Sequence, residues 1–522
     1  MTKIVLRRNM PHRPDEQGIR GLSRLLTTDR LRRPHFSQCW TSDAMANADP
    51  VIEYQVGDAT VRITASRGGT GHSYHLTPWE YGLPDRQLRL LNEAIEVVSS
   101  RPPDNICVGE WGLREHAEST ARLCIAETAR RRSVPLGESP EESNRIALAL
   151  AKVASRYTIG LGVFEHLLAD PHVEDIYLDA PVDRNPVHVT ISGLAGENTM
   201  LRCTTNITAT DREVSGIVSR LRQYSGRPFS EAFPVLETDV RGFGARATAI
   251  CPPLSPLGTA VALRRHSSSP WTLLKLAHNG TIDALTAALI SFLIDGRSTV
   301  LVCGPRGAGK SAMLGAILFE FPKAHRILTI EDTPELPVRR MQEAGFKLQS
   351  LLVERRLGED RDEKTEEALR VSLRLGESAI VVGEVRGREA QILYDSMRAG
   401  KAGSSVLGTI HGDSARSVYE RVVHDMGIAP EAFQATDIVM TVGLSRPGGT
   451  QRQVRRMVEL AETSKERGPG EFNTLLEYDP ESGMLRDGAC DRSETIERIA
   501  RSWNMSYADA LDNIRLRTEL RS

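Results

Sequence analysis

A lysine and a serine closing a glycine-rich octapeptide are the first residues whose types and spacing imply chemistry in this 522-residue chain. Gly304, Pro305, Arg306, Gly307, Ala308, Gly309, Lys310 and Ser311 read Gly-x-x-x-x-Gly-Lys-Ser. Glycines at this spacing let successive backbone N–H groups curl around phosphate oxygens, and a following helix adds the positive end of its dipole. Lys310 would bring a point charge to the terminal phosphates, and the Ser311 hydroxyl would complete a Mg2+ shell. A merely flexible glycine turn leaves the Lys-Ser pair unexplained.

Two carboxylates and a histidine follow where such a loop would use them. R-I-L-T-I (326–330) reads as a strand ending at Glu331 and Asp332, and S-A-I-V-V (378–382) as an apolar strand ending at Gly383 and Glu384. A third strand, 406–410, is tipped by His411. In an open parallel sheet the carboxyl ends of strands converge on the ligand crevice. Glu331 and Glu384 are therefore expected to face the same terminal phosphate as Lys310. One would steer a Mg2+-bound water and the other orient the attacking water. His411 would sense the phosphate as a hydrogen-bond donor. Acids at strand ends also cap helices, and a lone histidine is more often structural. Their pairing with the loop raises these three above that background.

Those side chains need a scaffold. An apolar run over 298–303 stops at the loop, and 312–319 has helix-forming composition. Helix and strand signals alternate onward to 463, the pattern of a parallel sheet with covering helices. Hydrophobic residues at 40% and charged residues at 26% exclude wholesale disorder, and aromatics at only 5% favour aliphatic α/β cores. No apolar run approaches the roughly 20 residues of a spanning helix, and no signal-peptide core is visible, so a cytoplasmic chain is expected. The net charge of −2, with a pI near 6.7, argues against a protein built to hold nucleic-acid backbone. Seven scattered cysteines without a Cys-x-x-Cys pair indicate neither a disulfide framework nor a zinc ribbon.

The expected organisation begins with a basic flexible tail over 1–50. Residues 1–33 carry nine basic against three acidic residues, a charge suited to an anionic membrane surface. An N-terminal accessory region follows over 51–145, with alternating strands and a helix opening at Pro84 and Asp85. Residues 146–264 read as a small α+β domain, and R-H-S-S-S-P-W (265–271) as a hinge. The loop-bearing domain spans 272–463, and 464–522 supplies a C-terminal hairpin and two short helices. The charged stretch 354–367 is expected to be a solvent loop.

Together the loop, R-I-L-T-I-E-D-T-P-E-L, I-V-V-G-E-V-R-G-R-E-A and G-T-I-H-G-D resemble the secretion-ATPase superfamily. These are the hexameric motors of type II and type IV secretion, type IV pili and the archaellum. The resemblance assigns the family's Walker A element to 304–311, its Asp box to 331–335, Walker B to 380–384 and the His box to 409–411. L-A-D-P-H-V-E-D-I-Y-L-D resembles the opening of the family's N-terminal domain, and A-L-R-R-H-S-S-S-P-W-T-L its hinge. Arg246 and Arg264 loosely match arginines that approach nucleotide near that hinge. The likeness covers about 160–460. The zinc insertion of many pilus-extension ATPases is absent, which points to the archaellum-like, archaeal type II-like or conjugation-like side.

The resemblance implies a RecA-like P-loop domain preceded by a smaller α+β (PAS-like) domain and an N-terminal α+β extension. It further implies ATP and Mg2+ as substrate and cofactor, a homohexamer, and work on a polytopic membrane platform protein at the inner face of the cytoplasmic membrane. Two rivals remain, a nucleic-acid translocase of a conjugation-like system and a nucleotide-binding scaffold without turnover. The cargo is not legible.

Overall fold

A computed structural model describes residues 31–42, 51–65, 71–101, 110–194, 198–266, 269–353, 361–376, 378–387, 389–398, 405–449, 453–488 and 492–522. Most of the basic tail (1–30), residues 354–360 of the charged stretch and residues 267–268 of the hinge lie outside them. The chain forms two compact units, Met1–Ala195 with Met200–Ser268, and Ser269–Ser522 with Gly196–Thr199.

The first unit begins with β1 (Leu31–Arg32), β2 (Cys39–Ser42) and a meander of β3 (Ile52–Val56), β4 (Ala59–Ala65) and β5 (His72–Pro78). Helices α1 (Asp85–Ser100), α2 (Glu110–Arg131), α3 (Pro140–Thr158) and α4 (Phe164–Ala169) follow. Then come β6 (Val173–Leu178), β7 (His188–Ser192), β8 (Thr199–Thr205), β9 (Ile207–Ala209), α5 (Asp211–Ser225), β10 (Val235–Val240), β11 (Ala245–Ile250) and β12 (Ala260–Arg265). The strands pair in the order β3-β4-β5-β8-β7-β6-β12-β11-β10, antiparallel except for β5 beside β8.

That single parallel pairing, His72 opposite Cys203, runs the sheet across the expected division between 51–145 and 146–264. The two segments share one unit because each alone would leave a sheet edge unpaired. Residues 39–42, expected within the flexible tail, form β2 against β9, with Cys39 fully buried. Local alternation of buried Cys39 and Thr41 there outweighs the tail's average charge.

The second unit opens with α6 (Leu273–His278) and α7 (Ala284–Asp295), whose sequence is apolar on nearly every face and is accordingly buried. It continues with β13 (Val300–Cys303), α8 (Lys310–Leu318), β14 (Arg326–Glu331), α9 (Val338–Glu343), β15 (Lys347–Leu352), α10 (Arg361–Ser372), β16 (Ala379–Val385), α11 (Glu389–Arg398) and β17 (Val406–Ile410). It ends with α12 (Ala415–Glu420), α13 (Pro430–Phe433), β18 (Ile438–Ser445), β19 (Gln453–Thr463), β20 (Phe472–Asp479), β21 (Met484–Asp487), α14 (Glu494–Ser502) and α15 (Tyr507–Glu519).

Six strands are parallel, in the order β15-β14-β16-β17-β13-β18. Strands β19, β20 and β21 extend the sheet antiparallel beyond β18. This is the α/β, RecA-like architecture expected. In β13, Val300 and Val302 enter one core with α7 and α8, while Leu301 and Cys303 enter the opposite core with α11 and α12. A strand buried on both faces has no polar alternation, which is why its sequence is uniformly apolar. Cys303 is plain core, its thiol pushed up to about 12 by burial.

Two expectations change in this unit. The charged stretch is helical from Arg361 onward, not a solvent loop, because its Glu, Lys, Ala, Leu and Arg residues favour a helix. Glu366 and Arg370 pair one turn apart at 3.6 Å. The segment 464–522 is part of the same core: Ile499 lies against Gly296, where an added Cβ would meet it at 2.4 Å. Arg517 ties α15 to Asp295 at 2.6 Å. Among the described residues no helix is long and apolar enough to cross a membrane.

Candidate nucleotide site

The loop's shape follows from its glycines. Gly309 caps α8 at φ +95°, in the left-handed region that favours glycine. Gly304 runs so close to β18 that a Cβ would meet the Val442 carbonyl oxygen at 2.3 Å. The first intrahelical bond is Met313 N–H to Gly309 O at 2.9 Å, so the first turn of α8 leaves its N–H groups facing the loop's concavity. Lys310 Nζ donates to the carbonyls of Gly304 at 2.9 Å and Pro305 at 3.1 Å. Arg455, on β19, steadies the loop from the other side by donating to Gly307 O at 2.8 Å.

Strand order brings the other groups in. Since β17 lies between β13 and β16, His411 at its end stands between Lys310 and Glu384. Lys310 Nζ lies 3.4 Å from His411 Nδ1, and His411 Nε2 lies 3.0 Å from Glu384 Oε1. An ammonium only donates, so Nδ1 must accept and the ring proton belongs on Nε2. Burial and then the Lys310 charge hold the imidazole below its ordinary value, against the pull of Glu384, so it is neutral at pH 7. Glu384 Oε1 is buried and outside hydrogen-bond alignment with that ring. Burial, the largest single influence, works to raise the Glu384 carboxyl, but the Arg386 hydrogen bond and the charges of Arg386 and Lys310 together bring it below its ordinary value. Glu384 is thus held ionised.

Glu331 is placed differently from the expectation. It is buried behind Gly383, whose added Cβ would lie 3.2 Å from its Cγ. Its Oε1 accepts from the backbone N–H of Glu335 and Leu336, both at 2.9 Å, while Oε2 is buried without a partner. Burial, reinforced by the charges of Glu335 and Asp332 and opposed by those two N–H donors, pushes its carboxyl up to about 7. The two acids therefore differ in kind, one ionised beside cations and the other poised near neutrality.

A cleft of about 660 Å3 opens beside Gly304, Pro305 and His411. Comparison with known proteins matches residues 246–496 to the type II/IV secretion system protein family. That region belongs to the type II/IV secretion family. A Mycobacterium tuberculosis protein named for conjugal transfer is 29% identical over 356 residues, covering 66% of this chain and 95% of that one. An uncharacterised Methanocaldococcus jannaschii protein is 29% identical over 329 residues, 62% of this chain and 55% of its own length, so the chain matches about half of that relative. Agrobacterium fabrum protein VirB11 is 31% identical over 140 residues, 27% of this chain and 38% of that one.

The remaining expected residues are scattered. Arg306 is exposed on the loop, and Ser311 is half-buried at the start of α8. Arg246 and Arg264 sit opposite one another on β11 and β12 in the first unit. Each has an acidic partner within the first unit. Arg246 meets Glu237 at 3.3 Å and Arg264 meets Asp175 at 3.9 Å. Both acids lie on neighbouring strands, where cross-strand pairing is invisible to a reading of local sequence. Two contributors went unnoticed in the sequence. Arg386 lies only two residues beyond Glu384, a spacing that could have exposed it. Arg455 is too distant in sequence to leave any signal.

Proposed function

We propose that the chain is a Mg2+-dependent ATPase of the secretion type. The observation that carries this is the convergence of Lys310, His411 and Glu384 at the carboxyl ends of β13, β17 and β16, beside a loop whose glycines leave room for phosphates. Nucleotide would draw Lys310 from its own loop's carbonyls onto the β and γ oxygens. Mg2+, held with the Ser311 hydroxyl, supplies charge neutralisation on the phosphates. Neutral His411 then presents its Nε2 proton as a donor. Ionised Glu384 orients the metal-side water, while Glu331, near neutrality, is matched to accepting a proton at physiological pH.

The work performed is assembly or export across a membrane, by a homohexamer acting on a polytopic platform protein from the cytoplasmic side. The name of the Mycobacterium relative, a conjugal transfer protein, favours a conjugation-type machine over an archaellum. In a ring, Arg246 and Arg264 would have to exchange Glu237 and Asp175 for phosphate, giving nucleotide a means of moving the first unit. A phosphate-release assay with Mg2+-ATP tests the core of this. Turnover lost in Lys310→Ala supports it, and no turnover in the wild type leaves only a scaffold. Light scattering with and without a non-hydrolysable analogue tests the ring, and strong DNA stimulation would revive the translocase reading.

A further inference from the structure

The cleft beside the loop holds one cation that the proposal above does not use. After α12 the helix widens into a π-helical turn, Arg421–Asp425, a distortion that recurs at functional sites. Arg421 opens that turn and lines the same cleft as Gly304, Pro305 and His411. Its Nε is buried without a hydrogen-bond partner. Among the described residues its guanidinium makes no ion pair. It is near enough to His411 for its charge to help depress the imidazole.

Carboxylates are not lacking nearby. Asp413, Glu420 and Asp425 stand on the same cleft, yet Glu420 pairs with Arg416 at 3.1 Å and none of the three pairs with Arg421. A guanidinium that bypasses adjacent carboxylates and keeps its Nε out of water shares a cleft with the loop. Burying an unpartnered charged donor is costly, so such an arrangement persists where a ligand completes it.

We propose that Arg421 grips the terminal phosphate of the loop-bound nucleotide, so that the cleft distinguishes a nucleoside triphosphate from a diphosphate. The proposal rests on the reading of the loop as a nucleotide site. A planar guanidinium matches phosphate oxygens two at a time, whereas Lys310 supplies only a point charge. Lys310 approaches from the loop and Arg421 from the π turn, leaving the terminal phosphate between them. The carboxylates around Arg421 repel free anions, which restricts the grip to a phosphate already held by the loop.

The test is equilibrium titration of the full chain with Mg2+ and either a non-hydrolysable ATP analogue or ADP. It compares wild type, Arg421→Gln and Arg421→Lys, with melting temperatures alongside. Arg421→Gln should weaken the analogue about 10- to 100-fold and ADP less than about 2-fold. Arg421→Lys should recover part of the difference. Equal weakening of both ligands, or an unchanged analogue-to-ADP ratio, overturns the proposal. If Arg421→Gln fails to fold, Arg421→Lys decides, because a wild-type ratio in that variant also overturns it. A wild type that binds neither nucleotide removes the loop reading together with this one. A wild type that prefers the analogue, with the preference intact in Arg421→Gln, removes only this one.

Discussion

Two clusters of buried charge, one in each unit, are built from similar residues and compensated in opposite ways. In the first unit, Arg156 donates to Glu80 at 2.9 Å and contacts Asp58 at 3.3 Å. His166 Nε2 lies 2.9 Å from the same Glu80 oxygen. Glu165, beside them, accepts two bonds from Arg114, at 2.6 and 3.0 Å. Burial works to raise Glu80, but the His166 hydrogen bond and the charges of His166 and Arg156 bring it down to about 2. Opposite charges there answer one another within the protein. At the loop, Lys310 lies against carbonyls and a neutral ring, Glu384 pairs with Arg386 but keeps a misaligned oxygen, and among the described residues Arg421 pairs with no acid. Glu80 Oε2 and Arg156 Nε are also buried without hydrogen-bond partners, but each charge there faces an opposite one, and in that sense the first cluster is closed and the second open. A closed cluster should matter for folding and an open one for binding and turnover.

The largest expected effect would break or support that contrast directly. Glu384→Gln should lower ATP turnover by roughly 10²- to 10⁴-fold, the usual worth of a positioned acid–base group, while nucleotide affinity stays near wild type. Its melting temperature should barely move, because the partner left behind, Arg386, is 40% exposed and can be rehydrated. Normal turnover in this variant would sink the role given to Glu384. A collapse in stability would show that the loop cluster is structural after all.

Arg156→Ala should do the reverse. It strands Glu80, which is fully buried, and leaves His166 beside an unanswered carboxylate. Removing one partner of such a pair costs about 3–5 kcal/mol. A fall in denaturant midpoint of that size, with unchanged nucleotide affinity in the protein that remains folded, is the expected outcome. Wild-type stability would mean that water reaches the cluster and that it is not closed.

The contrast also explains what could be read from sequence. Chemistry of the open cluster is written in contiguous strings, because a phosphate loop, a strand-end acid and a strand-end histidine each depend on local backbone. Lys310, Glu384 and His411 were therefore legible, as was the parallel sheet from the apolar runs of β13, β16 and β17. The closed cluster was not, since Asp58, Glu80, Arg156 and His166 come from four separate elements and meet only through packing. The same cause hid the partners of Arg246 and Arg264, and the pairing of β5 with β8. Glu331 was located from sequence, but its burial and its bonds to Glu335 and Leu336 N–H depend on the turn after β14.

Glu331 supplies the smallest expected effect and the one that sharpens the comparison, being a loop-side acid buried like a structural one. Its folded-state value near 7 lies above the ordinary carboxylate value of 4.5. The folded protein therefore keeps a proton that the unfolded chain has released, and stability falls as pH rises from 4.5 through 7. Above pH 7 the loss is complete and amounts to about 3 kcal/mol at most. Glu331→Gln keeps an acceptor for the two N–H groups and removes the titration. It should match wild type near pH 4 and melt higher than wild type at pH 8. If instead the variant melts lower at pH 8, the ionised carboxylate stabilises the fold, and Glu331 belongs with the closed kind of charge.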